Sequence, residues 1–267
     1  MKDLAILEEI KKTLGVGKIY KDTERKTVQY KVESIKDLQI IIEHFEKYPL
    51  VTDKLSDFLI FKNCYNIIKN KEHLTKEGIL KLVGLKSSLN WGLTDKLINA
   101  FPNFCTIKRP DYSFNCIPDP NWLAGFASGD GSFSLHVSNS STNKLGVRVQ
   151  LRFSIHLNIR DKEVIQGIVN YLINPELSNN TSNIIENKSK YIYFTEKTAY
   201  LQIIKFSDIL NKIIPFFKKY PIIGTKRLDF EDFSKVASIV QSKEHLTQEG
   251  IGKILKIKSG MNQDRKF

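Results

Sequence analysis

Residues 122–133 read Trp122-Leu123-Ala124-Gly125-Phe126-Ala127-Ser128-Gly129-Asp130-Gly131-Ser132-Phe133. Gly125 and Gly129 stand four apart with Ala124 and Ser128 beside them, so on a helix they form a face nearly bare of side chains, which another backbone can approach closely. The pattern predicts a helix over 121–131, with Asp130 at the end of this contact helix. A carboxylate there can hold a divalent metal against a phosphate, because hard cations take oxygen ligands and activate water. Small residues ending in Asp-Gly also fit plain packing and a C-cap, so the flanking sequence has to decide.

Downstream, Phe133, Leu135 and Val137 alternate with Ser134, His136 and Ser138. Val147, Val149, Leu151, Phe153 and Ile155 then alternate with Arg148, Gln150, Arg152 and Ser154. Period two of this kind marks half-buried antiparallel strands. A helix over 161–172, strands near 184–194 and 199–206, and helices to the end complete the unit. The polar positions include Tyr200 and Gln202 as well as the Arg, Gln, His and Ser residues above, with almost no acid. Arg pairs with guanine edges, Gln with adenine and Ser with either, while further basic residues hold phosphates. A solvated outer sheet face would alternate polar residues too. Arg, Gln and His on an acid-poor hairpin favour a nucleic-acid face. The formal net charge of +12, from 41 Lys and Arg against 29 Asp and Glu, points to a polyanionic partner in the same way.

Residues 44–90 align without a gap on 216–262, an offset of 172, with about twenty identities. Both stretches carry F-x-K-Y-P, then Lys54 with Asp57-Phe58 against Lys226 with Asp229-Phe230, then K-E-H-L-T-x-E-G-I. So long a period means a tandem duplication of one domain-sized unit rather than a solenoid. The boundaries expected are a first repeat over 1–101, a proline-punctuated linker over 102–120 and a complete second repeat over 121–267. Segments 16–20 and 28–33 supply the later strands of the first repeat, with Lys18, Tyr20, Gln29, Lys31 and Glu33 at polar positions. Nothing between residues 1 and 120 corresponds to the first motif helix and first two strands, about 38 residues in copy two.

The remaining composition excludes more than it assigns. A chain of 267 residues, 41% hydrophobic, can bury one large core or two small ones. Cys64, Cys105 and Cys116 show no C-x-x-C spacing and no paired histidines, which argues against zinc or disulfides and fits a reducing compartment. No run of 18 apolar residues occurs, so no membrane partner is expected. The opening residues mix helical-period apolar positions with acids, unlike a signal or transit peptide. Richness in Lys, Asn, Ile, Phe and Tyr hints at an A+T-rich organelle genome.

Leu123, Ala124, Gly125, Asp130 and Gly131 resemble the signature of the LAGLIDADG homing endonucleases. Their setting looks like the single-chain, two-repeat branch of fungal mitochondrial introns, as do F-x-K-Y-P, K-E-H-L and Leu89-Asn90-Trp91-Gly92-Leu93, so the resemblance covers essentially the whole chain. It implies an α+β fold of tandem pseudo-symmetric domains, each a saddle-shaped antiparallel sheet with helices on one face, straddling double-stranded DNA. The motif helices would pack on each other through Ala124, Gly125 and Ser128, and each would bring one acid to magnesium or another divalent cation, as in a two-metal clamp. Here those metal ligands would be Asp130 and the Gly129 carbonyl. Lys226 and Lys54 stand where the family keeps basic residues near the cleavage centre, able to stabilise charge or tune the attacking water, or else to touch phosphate at the surface. The DNA-contacting set would be Ser134, His136, Ser138, Arg148, Gln150, Arg152, Tyr200 and Gln202, with Lys18, Tyr20, Gln29 and Lys31 from copy one.

The activity implied is sequence-specific double-strand cleavage of the intron-homing type, in the mitochondrion. The alternative is a non-catalytic binder such as a group I intron RNA maturase, with intron RNA as partner. The departure from the family is the first repeat, which lacks its motif helix, first two strands and acid, so the chain is expected not to assemble the two-acid centre by itself. An upstream exon or start codon supplying the rest, degeneration of the gene, or a dimer through the Asp130 helix would each account for it. With the missing segment the protein would be a monomer.

Overall fold

The structure, a computed structural model, describes residues 3–89, 92–173, 190–262 and 265. Two units emerge, Asp3–Phe114 and Asn115–Phe267. Among the described residues no helix is long and apolar enough to cross a membrane, and the three cysteines are free.

The first unit opens with α1 (Leu4–Leu14), which stops at Gly15 in the left-handed region. Gly17 also takes positive φ, and a Cβ there would meet Tyr30 and the Lys31 carbonyl at under 3 Å, so 15–17 form a turn. The hairpin is therefore shifted from the expected 16–20 and 28–33: β1 is Lys18–Asp22 and β2 is Thr27–Lys31, paired antiparallel. Beyond Lys31 the chain turns at Ser34, which caps α2 (Ile35–Lys47) by accepting from Asp37 N. Next come α3 (Lys54–Lys69), α4 (Lys76–Ser87) and α5 (Asp95–Ala100). Their core is Ile42, Phe58 and Tyr65, with Leu38, Phe45, Leu50 and Leu55 against it. Residues 102–114, expected within a linker, belong to this unit. Ile107 N donates to Gly84 O at 3.4 Å, and Arg109 reaches Asp53 and Asp57. A Cβ on Gly84 would lie 2.2 Å from the Cys105 carbonyl, so glycine lets this segment pass against α4.

The second unit begins with α6 (Pro120–Asp130). Asp119 caps it by accepting from Asn121 N at 2.7 Å, and Pro120 sits in the first turn, where its missing N–H costs nothing. Strand β3 (Gly131–Asn139) follows at once, then β4 (Val147–Asn158), a 3₁₀ turn and α7 (Lys162–Ile173). Strands β5 (Ile192–Phe194) and β6 (Thr198–Ile203) complete an antiparallel sheet in the order β3-β4-β6-β5. Of the strand expected over 184–194, residues 184–189 lie outside the described residues. The strand expected to run to 206 ends at Ile203, because α8 (Phe206–Asp208) starts there and continues through a π turn into α9 (Ile214–Lys219). Helices α10 (Lys226–Gln241) and α11 (Gln248–Lys258) close the unit.

Alternating burial in the sheet seats it on the helices. Phe133, Phe153, Phe217 and Phe233 are at most 1% exposed, and Phe133 meets Phe153, Phe217, Phe230 and Phe233 with ring centroids 5.0–5.5 Å apart. The duplication is visible in detail: Phe217 meets Phe230 at 5.9 Å, as Phe45 meets Phe58 at 5.7 Å. K-E-H-L-T-x-E-G folds alike in both copies. Lys71 and Lys243 adopt φ +61° and +63° before a 3₁₀ turn, and Thr75 and Thr247 then cap α4 and α11 by accepting from Gly78 N and Gly250 N. A Cβ on either glycine would come within 1.9 Å of a backbone oxygen, which accounts for its identity in both repeats.

Candidate active site and sheet face

Asp130 is the last residue of α6 and is exposed, as is Gly129. A Cβ on the next residue, Gly131, would lie 2.5 Å from the Ala127 carbonyl, so glycine is what lets the chain pass from helix to strand without a spacer. This turn is tied to the far end of the unit. Lys226, the first residue of α10, donates from Nζ to Gly129 O at 2.6 Å and to Ala127 O at 3.4 Å. Ser128 Oγ donates to Ala124 O at 2.7 Å and accepts from Ile223 N at 3.0 Å. Asn262 Nδ2 donates to Phe133 O at 3.2 Å. The last carbonyls of a helix carry partial negative charge, and here a lysine answers it beside a carboxylate.

The face expected to be bare is narrower than the sequence suggested. Gly125 and Gly129 are exposed, and a Cβ on either would meet nothing within 4 Å among the described residues. Ala124 is only 4% exposed, and the Ser128 hydroxyl is committed to Ile223 and Ala124. Both point into packing because a helix of 3.6 residues per turn separates neighbouring positions by about 100°.

Lys54 holds the same repeat position as Lys226 but a different partner. Its Nζ lies 3.0 Å from Asp57 Oδ2, on a side chain 61% exposed. Asp57 is also gripped by Arg109, and its equivalent Asp229 accepts from Arg265 at 2.8 Å and from Asn262 N at 2.9 Å. The two arginines are not repeat mates, yet each comes from beyond the last helices of its unit to the same carboxylate. Burial works to raise the pKa of Asp57, but hydrogen bonds from Arg109 and Lys54 overcome it and hold the carboxyl below its ordinary value. Asp232, paired with Lys235 and Arg265, is lowered against the same desolvation. These carboxylates are structural clamps.

The sheet face opposite the core carries every second-copy residue selected for nucleic-acid contact. The register sets Ser134 against Arg152, His136 against Gln150, Ser138 against Arg148 and Ser154 against Gln202. Arg152 donates to Gln150 Oε1 at 3.3 Å, while its buried Nε has no hydrogen-bond partner among the described residues. In the first unit Lys18, Tyr20, Gln29 and Lys31 are all exposed and share one face, with Lys31 Nζ 5.1 Å from the Tyr20 ring centroid. The polar face of β4 runs one position further than Ser154. His156 continues the polar alternation and stacks on Tyr200 at 4.7 Å, and Tyr200 stacks on Tyr193 at 5.1 Å. Extending period two past Ile155 to Leu157 would have found the histidine.

Among the described residues no three His, Cys, Asp or Glu side chains cluster as a metal site. The oxygen donors at the end of α6 are the Asp130 carboxylate and the Gly129 carbonyl.

The family model described as LAGLIDADG endonuclease matches residues 1–65 and 123–237. The Neurospora crassa protein named "Probable intron-encoded endonuclease 3" is 38% identical over 255 residues, 95% of this chain and 45% of the relative. "Probable intron-encoded endonuclease 2" of the same organism is 34% identical, over 97% of this chain and 56% of the relative. The chain thus spans about half the length of these curated relatives. Among solved structures, the LAGLIDADG meganuclease I-CpaMI bound to uncleaved DNA is 50% identical with TM-score 0.89, covering 98% of this chain and 85% of that one. The I-SmaMI LAGLIDADG homing endonuclease bound to cleaved DNA is 40% identical with TM-score 0.90, covering 99% and 84%.

Proposed function

The chain belongs to the LAGLIDADG endonuclease family, and from that premise we propose that it works as a sequence-specific, divalent-metal-dependent endonuclease cutting both strands of duplex DNA at an intron-insertion site. The observation that carries this reading is the junction of α6 and β3, where an exposed carboxylate ends a helix whose last turn is held by Lys226 and whose next residue starts the polar sheet face. The Asp130 carboxylate and the Gly129 carbonyl are hard oxygen donors on adjacent exposed residues, the carbonyl shared with Lys226, and fit magnesium or a similar cation. When bound, such an ion supplies charge stabilisation and a more acidic water.

The chain's own residues do the rest. Asp130, with the Gly129 carbonyl, would hold the cation, and its carboxylate would orient water toward the scissile phosphate. Lys226 fixes the turn through the Gly129 carbonyl and places positive charge where the phosphate gains negative charge in the transition state. Arg148, Gln150, Arg152, Ser134, His136, Ser138, Tyr200 and Gln202 read base edges and phosphates, with Lys18, Tyr20, Gln29 and Lys31 doing so from the first unit. Lys54 is the first unit's counterpart of Lys226. A symmetric centre takes one acid from each motif helix, so it needs a second segment equivalent to 121–158, with a mate for Asp130, beside the first unit's β1 and β2. Relatives named for ND4 and cox1 introns support a mitochondrial origin.

The test is selection from a randomised duplex library, followed by magnesium-dependent cleavage of the enriched sequence, by this chain and by the chain extended through its upstream reading frame. Enrichment of one long asymmetric site and double-strand cutting by at least the extended form are expected. A protein that enriches no sequence, or binds one and never cuts it in either form, overturns the proposal.

A further inference from the structure

On the second unit's sheet, the polar face changes character along its strands. On the β3–β4 hairpin, beyond the Ser132–Ser154 pair, it carries hydrogen-bonding side chains: Ser134 opposite Arg152, His136 opposite Gln150, Ser138 opposite Arg148. In the other direction along β4, beyond the row of Ser154 and Gln202, the next row is His156, Tyr200 and Tyr193, one residue from each of β4, β6 and β5. Their rings form a continuous stack, 4.7 Å and 5.1 Å between centroids with interplanar angles of 11° and 16°. Three rings in register across three hydrogen-bonded strands are held by the sheet as well as by each other. Tyr193 is anchored further by donating to Lys190 O at 3.1 Å, and both His156 and Tyr193 are exposed.

The sheet core does not need this stack, because Ile155, Leu201 and Ala199 fill the opposite face. Rigid aromatic plates give contact area with little side-chain entropy left to lose. Beside the tyrosine hydroxyls and imidazole nitrogens, the rings offer mostly carbon, which in a major groove matches one base feature above others, the C5-methyl of thymine. We propose that the His156–Tyr200–Tyr193 stack determines specificity, reading two or three adjacent thymine methyls while the Arg148–Gln150–Arg152 row reads hydrogen-bonding base edges. This rests on the DNA-binding reading above and adds a base class and its residues to it.

Uracil is the probe, since replacing thymine by deoxyuridine removes the methyl and leaves pairing unchanged. The sequence enriched from the random library is rebuilt with each thymine replaced in turn, and affinity is measured in calcium buffer. Each methyl read by the stack should cost about fourfold on replacement, the size of one buried methyl group, at a few contiguous positions. Tyr200→Ala and His156→Ala should erase that sensitivity at those positions while leaving the guanine and adenine preferences set by Arg148 and Gln150. Tyr200→Phe keeps the ring and should retain it. Tyr193→Ala, at the exposed edge of the sheet, carries the same test should Tyr200→Ala fail to fold. Uracil tolerated throughout the selected site, or methyl sensitivity that survives every ring deletion, overturns the inference while leaving DNA binding intact. A library that enriches nothing removes the functional reading itself.

Discussion

Lys226 and Lys54 occupy one repeat position in two settings, so replacing each by methionine gives a controlled measurement of what the α6 junction is worth. Methionine keeps the aliphatic stem and removes the ammonium. At Lys226 the loss is a hydrogen bond to Gly129 O of 2.6 Å. Bonds to charged groups contribute about 1.5–3 kcal/mol, but Gly129 is exposed and water can replace the donor, which reduces the figure to about 1 kcal/mol. A second loss is the cation answering a helix C-terminus that already carries Asp130, roughly 0.3–1 kcal/mol more. The total is about 1.5–2 kcal/mol, or a urea midpoint lowered by about 0.5–1 M for an ordinary m value. At Lys54 the loss is an exposed i,i+3 pair with Asp57, a side chain Arg109 also holds, so no more than about 0.5 kcal/mol is expected. Trp122 lies on α6, stacked on Phe126 at 4.8 Å. In a Trp91→Phe background its fluorescence follows this unit alone, which matters because a two-unit chain need not unfold in one step. Adding Asp130→Asn to Lys226→Met should restore part of the loss, since the unanswered charge is then gone. Equal losses at the two lysines, or no recovery in the double variant, would refute this account of the junction.

Asp130→Asn alone should raise stability by roughly 0.3–1 kcal/mol in low salt, read as a higher melting temperature, because it removes a carboxylate from a helix C-terminus; a lower melting temperature contradicts this. Phe133→Ala, which empties a fully buried site among four other phenylalanine rings, should cost about 3–5 kcal/mol by urea melting. Asp57 and Asp232 have folded pKa values below their ordinary 3.8. Folding therefore favours their ionised forms, a contribution complete well above 3.8 and lost as pH falls from there through the lower folded values. Acid titration of the melting temperature should show a steeper fall in that window for the native chain than for Asp232→Asn, and coincident curves would show the clamps contribute nothing.

The duplication, the element types of the second unit and its polar sheet face were all legible, because gap-free repetition and period-two alternation are local signals. Gly125 and Gly129, four apart in the sequence, are both exposed. The burial of Ala124 and the bond from Ile223 N to Ser128 Oγ were not legible, since sequence adjacency cannot say which side of a helix meets the lead-in to α10. The arginine clamps were invisible for a related reason: Arg109 and Arg265 lie at different distances from their equivalent aspartates, so the repeat alignment could not pair them. The segment 102–114 looked like a linker because it is rich in proline, whereas Gly84 makes room for it against α4. His156 needed only one more step of alternation, but its stacking with Tyr193 depends on strand order, which no local pattern contains.

If Asp130 is the chain's contribution to a metal-dependent cleavage centre, removing its charge separates cutting from DNA recognition. The direct measurement is single-turnover cleavage of the selected duplex in magnesium by the extended form, with affinity for the same duplex measured in calcium, for native protein and Asp130→Asn. Native affinity with at least about a thousandfold loss of cleavage, the scale of removing one key catalytic group, is the result predicted. Cleavage by Asp130→Asn at near-native rate would contradict it.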